Sequence, residues 1–502
     1  MLGEKVLVQL SSDFIVGIVG LLTTILIARF LGPLALGTVG FILGILGIIS
    51  FVGDLGFGTA HIKRISEGKK FRENLGTFIF IRFFQAILFL VIGFVFFFTS
   101  KFFAPNLISS KEEILVFFLL LITSFLVILS GIFISTFQGT QEAVKANFPQ
   151  ALGKIIKLLV TVVIIFGLAN AVGIATTYLV EAVSILFFFL LLFRKIPFSA
   201  PKLIIFKSYL AYAFPLIIVN SLSYFFGNVD KLVIKSFWSN EVVGWYFAMQ
   251  SLIALPQTLS SSVMTMFFPN ISSLFAQKRF DEIRKKCQFS LRYLLMITIP
   301  FSTTFIFFRQ DLVRLFLGES FVPGADILIP LSILVVIIAI VRPYSNILYA
   351  IEKHRILVKV NLINLFVLVS LNLLLVPREL FGVSLFGLGG VGAAVANIAI
   401  WVISGTTQIY IIRKNLKIPF FSNIFYYLIS GAFMYLAYLV MFNFDPFTSY
   451  IPKLISTVSF GLIVYFFTLN IFRELSGNDL NYFLKIIRPK LLLKSAKKEI
   501  QS

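Results

Sequence analysis

The chain has 502 residues, 59% of them hydrophobic and 13% charged, with a mean hydropathy of +0.99. So little charge cannot cover a water-facing surface, which excludes a soluble protein and makes this an integral membrane protein. Its net charge of +21 would suit a nucleic-acid binder, but loops on the cytoplasmic side of membrane proteins collect Lys and Arg, and no nucleic-acid partner is expected.

A membrane span needs about 20 predominantly apolar residues. In chain order the stretches that meet this rule are 8–30, 37–60, 77–98, 114–138, 147–169, 172–193, 212–237, 243–268, 289–308, 326–350, 357–376, 385–411, 422–443 and 452–471. With the N-terminus in the cytoplasm, the inner segments hold 32 Lys and Arg and the outer segments nine. That asymmetry predicts a multi-pass protein of the cell (plasma) membrane with both termini cytoplasmic. The first apolar run lacks an A-x-A-like cleavage site and reads as a retained helix. The basic tail containing NYFLKIIRPKLLLKSAKK (481–498) is expected to lie on the inner membrane surface.

The sequence also resembles itself. LIARFLGPLALGTV (26–39) aligns with VIKSFWSNEVVGWY (233–246) at an offset of 207, bringing Gly37 onto Gly244. Six spans lie between the copies, so both point the same way, as in a parallel repeat of a transporter. The expected fold is all-α: fourteen transmembrane helices, in two six-helix lobes related by a pseudo-two-fold axis, plus two C-terminal helices. The corresponding divisions are 1–200, 201–415 and 416–502.

Charges at membrane depth are costly and mark function or buried partners. Arg29 and Asp54 fall at span ends, where packing or topological roles compete with function. Arg82, with Gln85 three residues on, either snorkels to the inner headgroups or lines a path. Glu181 sits mid-span with Thr177 and Ser184 on its face. It is either a buried acid bonded to those hydroxyls or, like Asp54, a coupling candidate. Asp13, Lys154 and Lys157 are read as solvated near the inner interface, and so are His61 and His354.

In NSLSYFFGNVDKLVIKSF (220–237), Asn220, Ser223, Tyr224, Gly227, Asn228, Lys231 and Lys235 share one helical face, with Asp230 at its edge. The reading is a polar track facing a protein or water-filled interior, against a buried seam that only fixes packing. Arg342, beside Pro343 and one turn from Asn346, is expected to line the path. Gly387-x-Gly389-x-x-Gly392 matches a dinucleotide fingerprint formally, but it opens a membrane helix, where small residues let helices approach. No P-loop is present. The single cysteine, Cys287, excludes an internal disulfide, and no metal site is expected. The Asn270 sequon falls on the inner side.

Residues 25–66, with A-R-F-L-G-P-L-A-L-G (28–37) and D-L-G (54–56), resemble the opening helices of Wzx-type polysaccharide flippases. NVDKLVIKSFWSNEVVGWYFAMQ (228–250) and LFGLGGVGAAVANI (385–398) are similar to that family's second lobe. The family shares a superfamily with MATE drug exporters and MurJ-like lipid II flippases. The resemblance implies fourteen helices, a V-shaped cavity between two lobes, and alternating access. It also implies a substrate class, glycans on a polyprenyl (pyro)phosphate carrier. Membrane lipids are the other expected partner, and the protein is expected to work as a monomer without a cofactor, driven by H+, Na+ or another energy source. The competing readings are a MATE-like drug/cation antiporter and, further off, an integral membrane glycosyltransferase or ligase.

Overall fold

The computed structural model describes residues 2–194, 196–350, 354–444 and 450–475. The expected surface tail lies outside them, as do the side chains of Asp13, Asn270 and His354. In chain order the helices are α1 (Leu2–Ile49), α2 (Phe51–Asp54), α3 (Phe57–Ser66), α4 (Phe71–Phe103), α5 (Lys111–Gly139), α6 (Ala143–Gly167) and α7 (Ala171–Phe193). They continue with α8 (Leu203–Phe226), α9 (Val229–Phe237), α10 (Asn240–Ala276), α11 (Phe280–Phe307) and α12 (Arg309–Phe316). A 3-10 turn (Glu319–Ile327) leads into α13 (Leu328–Ala350) and α14 (His354–Leu375). A hairpin of β1 (Glu379–Leu380) and β2 (Val383–Ser384) precedes α15 (Gly389–Leu416), α16 (Ile424–Phe444) and α17 (Tyr450–Ile471). Among the described residues, 11 helices are long and apolar enough to cross a membrane.

The chain divides into two compact units. One holds Met1–Ser251 and Asn361–Ala393; the other holds Leu252–Val360 and the described residues from Ala394. The first unit's core stacks aromatic rings from α3, α4, α5, α7 and α8. Phe133 packs on Phe193 and Phe189 at 4.8 and 5.5 Å between centroids. In the second unit α11, α13, α16 and α17 enclose Tyr344, Tyr427, Tyr438 and Tyr465. Buried tyrosines need partners for their hydroxyls. Tyr465 donates to the Leu295 carbonyl at 3.2 Å, and Tyr427 to Glu474 at 2.8 Å.

The first motif has a conformational cause. Gly32 adopts φ 75°, ψ 177°, a region closed to other residues, and breaks α1 in two. Pro33 then starts the second half, where a missing N–H costs nothing. Four residues on, Gly37 meets the start of α10 backbone to backbone. A Cβ on Gly37 would fall on the Asn240 carbonyl, and one on Gly244 on the Pro33 carbonyl. The contact is reciprocal: Gly244 and Asn240 are the positions 207 residues on from Gly37 and Pro33. D-L-G is likewise a turn: Leu55 and Gly56 take φ 41° and 77°, and the chain redirects from α2 into α3. The expected span 37–60 is therefore three pieces. At the second glycine cluster, a Cβ on Gly392 would lie 2.7 Å from the Leu375 carbonyl. Close approach of α15 to the end of α14 is thus what that glycine permits.

Candidate functional site

Asn220, Tyr224, Asn228, Asp230 and Lys231 lie along α8, α9 and the break between them, not on one continuous helix. α8 ends at Phe226, Asn228 leaves helical conformation at φ −136°, and α9 restarts at Val229. Gly227 and Asn228 are poor helix formers in succession, and their break opens the polar stripe predicted as a single face. Side chains at the break satisfy the carbonyls it frees. Lys231 Nζ donates to the Gly227 carbonyl and to Asn228 Oδ1, both at 3.2 Å. Asn228 Nδ2 donates to the Tyr224 carbonyl at 2.9 Å. Asp230, in the first turn of α9, accepts from the Tyr246 hydroxyl at 2.5 Å. The adjacent buried charges thus have separate hydrogen-bond partners.

The stripe is tethered at both ends. Asn220 Nδ2 donates to Asp54 Oδ2 at 3.2 Å. Beyond Asp54 lies Arg82, only 7% exposed, so it is buried in protein and does not snorkel. Its guanidinium donates to the Gly53 carbonyl, and Gln85 donates to the Val52 carbonyl at 2.9 Å. Methyl groups on Gly58 or Gly131 would crowd the guanidinium at 2.9 and 3.2 Å, so glycines make its room. Its Nε is buried without a hydrogen-bond partner.

At the other end, Lys235 lies 3.6 Å from Glu113. The same carboxylate closes a capping box with Ser110 and accepts from Asn240 Nδ2 at 3.1 Å. Asn240 Nδ2 also donates to Thr38 at 3.1 Å. Sequence reading missed Glu113, although Ser110-x-x-Glu113 is a legible helix-start signal.

Glu181 differs from both readings of its neighbours. Thr177 and Ser184 donate to the carbonyls of Ile174 and Val180. Glu181 instead receives two lysines of α6, Lys154 at 2.7 Å and Lys157 at 2.9 Å. Lys157, expected in solvent, is 4% exposed, with its ammonium 3.0 Å from the centre of the Tyr178 ring. The correction has a simple origin: α6 starts at Ala143, so both lysines lie inside the helix and face α7. Two cations thus share one buried carboxylate.

Arg342 belongs to the other unit. It is half-buried on α13, with Nη1 3.5 Å from the Gln257 carbonyl, and α13 runs through Pro343 without a break. Asn346, one turn on, is half-buried. Arg29 is exposed, three residues before the break at Gly32.

His61 is also corrected, from a solvated helix-end residue to a fully buried one, at 0% exposed. It stacks on Phe78 at 3.8 Å, with Nδ1 2.7 Å from the Tyr209 hydroxyl and Nε2 3.0 Å from Thr136 Oγ1. Thr136 spends its hydroxyl proton on the Ile132 carbonyl, so it accepts from Nε2–H and Tyr209 donates to Nδ1. Burial, with the charge of Arg82 adding to it, pushes the pKa of this neutral imidazole down to about 3. Unfolding returns it to about 6.5. The unfolded chain therefore binds a proton that the folded one refuses, and stability falls as pH drops below that value. The slope is roughly 1.4 kcal/mol per pH unit. Between about pH 7 and about pH 5, the wild-type melting temperature in detergent should fall more steeply than that of His61→Gln. Parallel curves would contradict this assignment.

Comparison with known proteins places this architecture. The fold is similar to that of a lipid II flippase MurJ in an inward closed conformation, at TM-score 0.71 and 17% identity over 92% of this chain and 97% of that one. It is also similar to an inward-facing multidrug resistance MATE family transporter of the MOP superfamily, at TM-score 0.60 and 17% identity over 82% and 95% of the two chains. A third likeness is to a MOP superfamily transporter from Pyrococcus furiosus described as having a binding pocket of reverse polarity. There the TM-score is 0.58 and the identity 16%, over 82% and 96% of the chains. No curated protein matches significantly. The fold is thus the one that these three structures share. Residues 26–326 match the family described as polysaccharide biosynthesis protein, and the chain belongs to that family.

Proposed function

We propose that the protein is a flippase. It moves polyprenyl-(pyro)phosphate-linked oligosaccharide or polysaccharide repeat units from the cytoplasmic to the outer leaflet of the plasma membrane by alternating access. Non-covalent transport, rather than bond chemistry, is its task. The observation that carries this reading is the sharing of Glu181 by buried Lys157 and partly exposed Lys154, which leaves one positive charge in excess beside a buried carboxylate. Such an excess suits an anionic headgroup and disfavours a cation. Arg82, with a free donor edge, and Lys231 add to it; guanidinium binds phosphate bidentately and ammonium as a point charge. Asn220, Asn228 and Tyr224 offer amide and hydroxyl groups for sugar.

Glu181 is the coupling residue in this account, and the ion is a proton. A neutral carboxylic acid there would release two ammonium groups to the substrate phosphate, and substrate release would return them. Asp54, Arg342, Asn346 and Arg29 remain path or coupling candidates, and the protein acts as a monomer with two lobes repeating in parallel.

Thermal stability in detergent gives a direct test. A polyprenyl-pyrophosphate oligosaccharide should raise the melting temperature of the wild type, and the shift should disappear in Lys154→Ala and shrink in Arg82→Lys. A shift produced by lipophilic cations but not by the pyrophosphate lipid would instead favour the drug-exporter reading, which the MATE-like fold also allows. Lys231→Ala and Arg342→Ala should each slow transport about tenfold or more if they meet phosphate, the loss expected from about 1.4 kcal/mol. Unchanged rates in folded variants would remove them from the path.

A further inference from the structure

The hairpin between α14 and α15 carries an unexpected residue at its tip. β1 and β2 pair Glu379 with Ser384 and Leu380 with Val383. Phe381 and Gly382 form the two-residue loop, at φ 51° and 81°. Such loops need positive φ at both positions and favour Asn or Asp at the first. A bulky side chain there is an outlier. Seven described non-glycine residues have positive φ; five are Lys, Arg or Gln, and Phe381 is the only aromatic among them. Phe381 is also 97% exposed. Conformation and water both disfavour a phenyl ring here, so a contact outside the chain best accounts for it.

The hairpin is amphipathic and held firmly. Cross-strand partners share a face, so Leu380 and Val383 lie on one side and Glu379 and Ser384 on the other. Phe386 and Leu388 extend the exposed apolar surface. Backbone bonds from Leu385 to the Arg378 carbonyl and from Gly387 to the Pro377 carbonyl, both 2.8 Å, tie its base. The Trp238 indole donates to the Val376 carbonyl at 2.8 Å, and the Arg378 guanidinium lies 4.5 Å from the Trp238 ring centre. The helices on either side, α14 and α15, each contain a stretch apolar and long enough to cross a membrane. The hairpin joining them therefore emerges at a bilayer surface, the outer one in the orientation that the loop charges favour. Trp and Arg belong at headgroup depth, and an apolar face below them belongs at the acyl boundary.

We propose that this hairpin anchors the α14–α15 junction in the outer leaflet. Phe381, Leu380 and Val383 enter the boundary between headgroups and acyl chains of a phospholipid surface, with Arg378 at the level of the phosphates. The inference does not depend on what the protein transports.

The test uses the full chain reconstituted in phosphatidylcholine/phosphatidylglycerol vesicles, with a nitrobenzoxadiazole label on Phe381→Cys, Val383→Cys or Ser384→Cys. Cys287 is buried, and the unsubstituted chain serves as the blank. Labels at 381 and 383 should be quenched several-fold more by spin-labelled phospholipid than by iodide, and the label at 384 the reverse. Iodide-dominated quenching at 381 and 383 would put the tip in water and overturn the proposal. Resistance to both quenchers would mean a protein cover, such as a second copy, and would overturn it equally. Phe381→Asn suits the turn and removes the ring, so it should raise iodide quenching at 383 several-fold; no change would show that Phe381 is not the anchor.

Discussion

Glu181→Ala is expected to destabilise the folded protein by about 3–5 kcal/mol, the usual cost of stranding one member of a buried ion pair. Lys157 is buried and would be left with only the Tyr178 ring beside its ammonium. Lys154 is partly exposed and can turn outward, so Lys157 carries most of the penalty. A second change then repairs the first: Glu181→Leu combined with Lys157→Met should recover most of the lost stability, because an apolar pair of similar volume often serves as well as a buried ion pair. Chemical or thermal unfolding in one detergent measures all three proteins. Equal stability of wild type and Glu181→Ala would show that the carboxylate does not balance Lys157.

The second large effect is at the glycine contact between α1 and α10. Gly244→Ala places a methyl group on the Pro33 carbonyl oxygen, and Gly37→Ala places one on the Asn240 carbonyl. Side-chain overpacking costs about 1–3 kcal/mol because rotamers can adjust. Here both colliding groups are backbone, so the helices must separate, and the loss should reach or exceed the top of that range. Gly20→Ala on the same helix α1 is the control, since its Cβ would meet nothing within 4 Å. Monodisperse yield on size exclusion should collapse for Gly244→Ala and stay at the wild-type level for Gly20→Ala. Equal yields would mean that the close approach is not required.

Much of this architecture is legible in the sequence, because lipid makes apolar length a direct signal of a span. The glycine motifs are legible too: Gly32-Pro33, Gly37 and Gly56 are each forced by a backbone conformation or a close contact. What hydropathy hides is where a helix breaks inside an apolar run, as at Gly227-Asn228, because breaking depends on local propensity rather than on polarity.

The candidate site was half visible. Arg82, Asp54, Asn220 and Lys231 stand out as polar residues in apolar stretches, but their partners, backbone carbonyls for Arg82 and Lys231 and each other for Asn220 and Asp54, are not announced by spacing. Lys154 and Lys157 look solvated because they sit beside a basic loop, and only the packing of α6 on α7 turns them toward Glu181. His61 misleads in the same way, since its neighbours Lys63 and Arg64 point elsewhere while it enters an aromatic core.

Transport of a phosphate-linked glycan across the bilayer can be followed directly. Its most direct measurement follows fluorescent polyprenyl-pyrophosphate oligosaccharide in proteoliposomes, read by a membrane-impermeant reagent that destroys label on the outer face. Wild-type protein should carry label from the protected leaflet to the reagent well above the rate in empty liposomes, and Lys154→Ala with Lys157→Ala should remove the acceleration. A wild-type rate equal to that of empty liposomes, in vesicles that export a cationic dye, would contradict the proposed function.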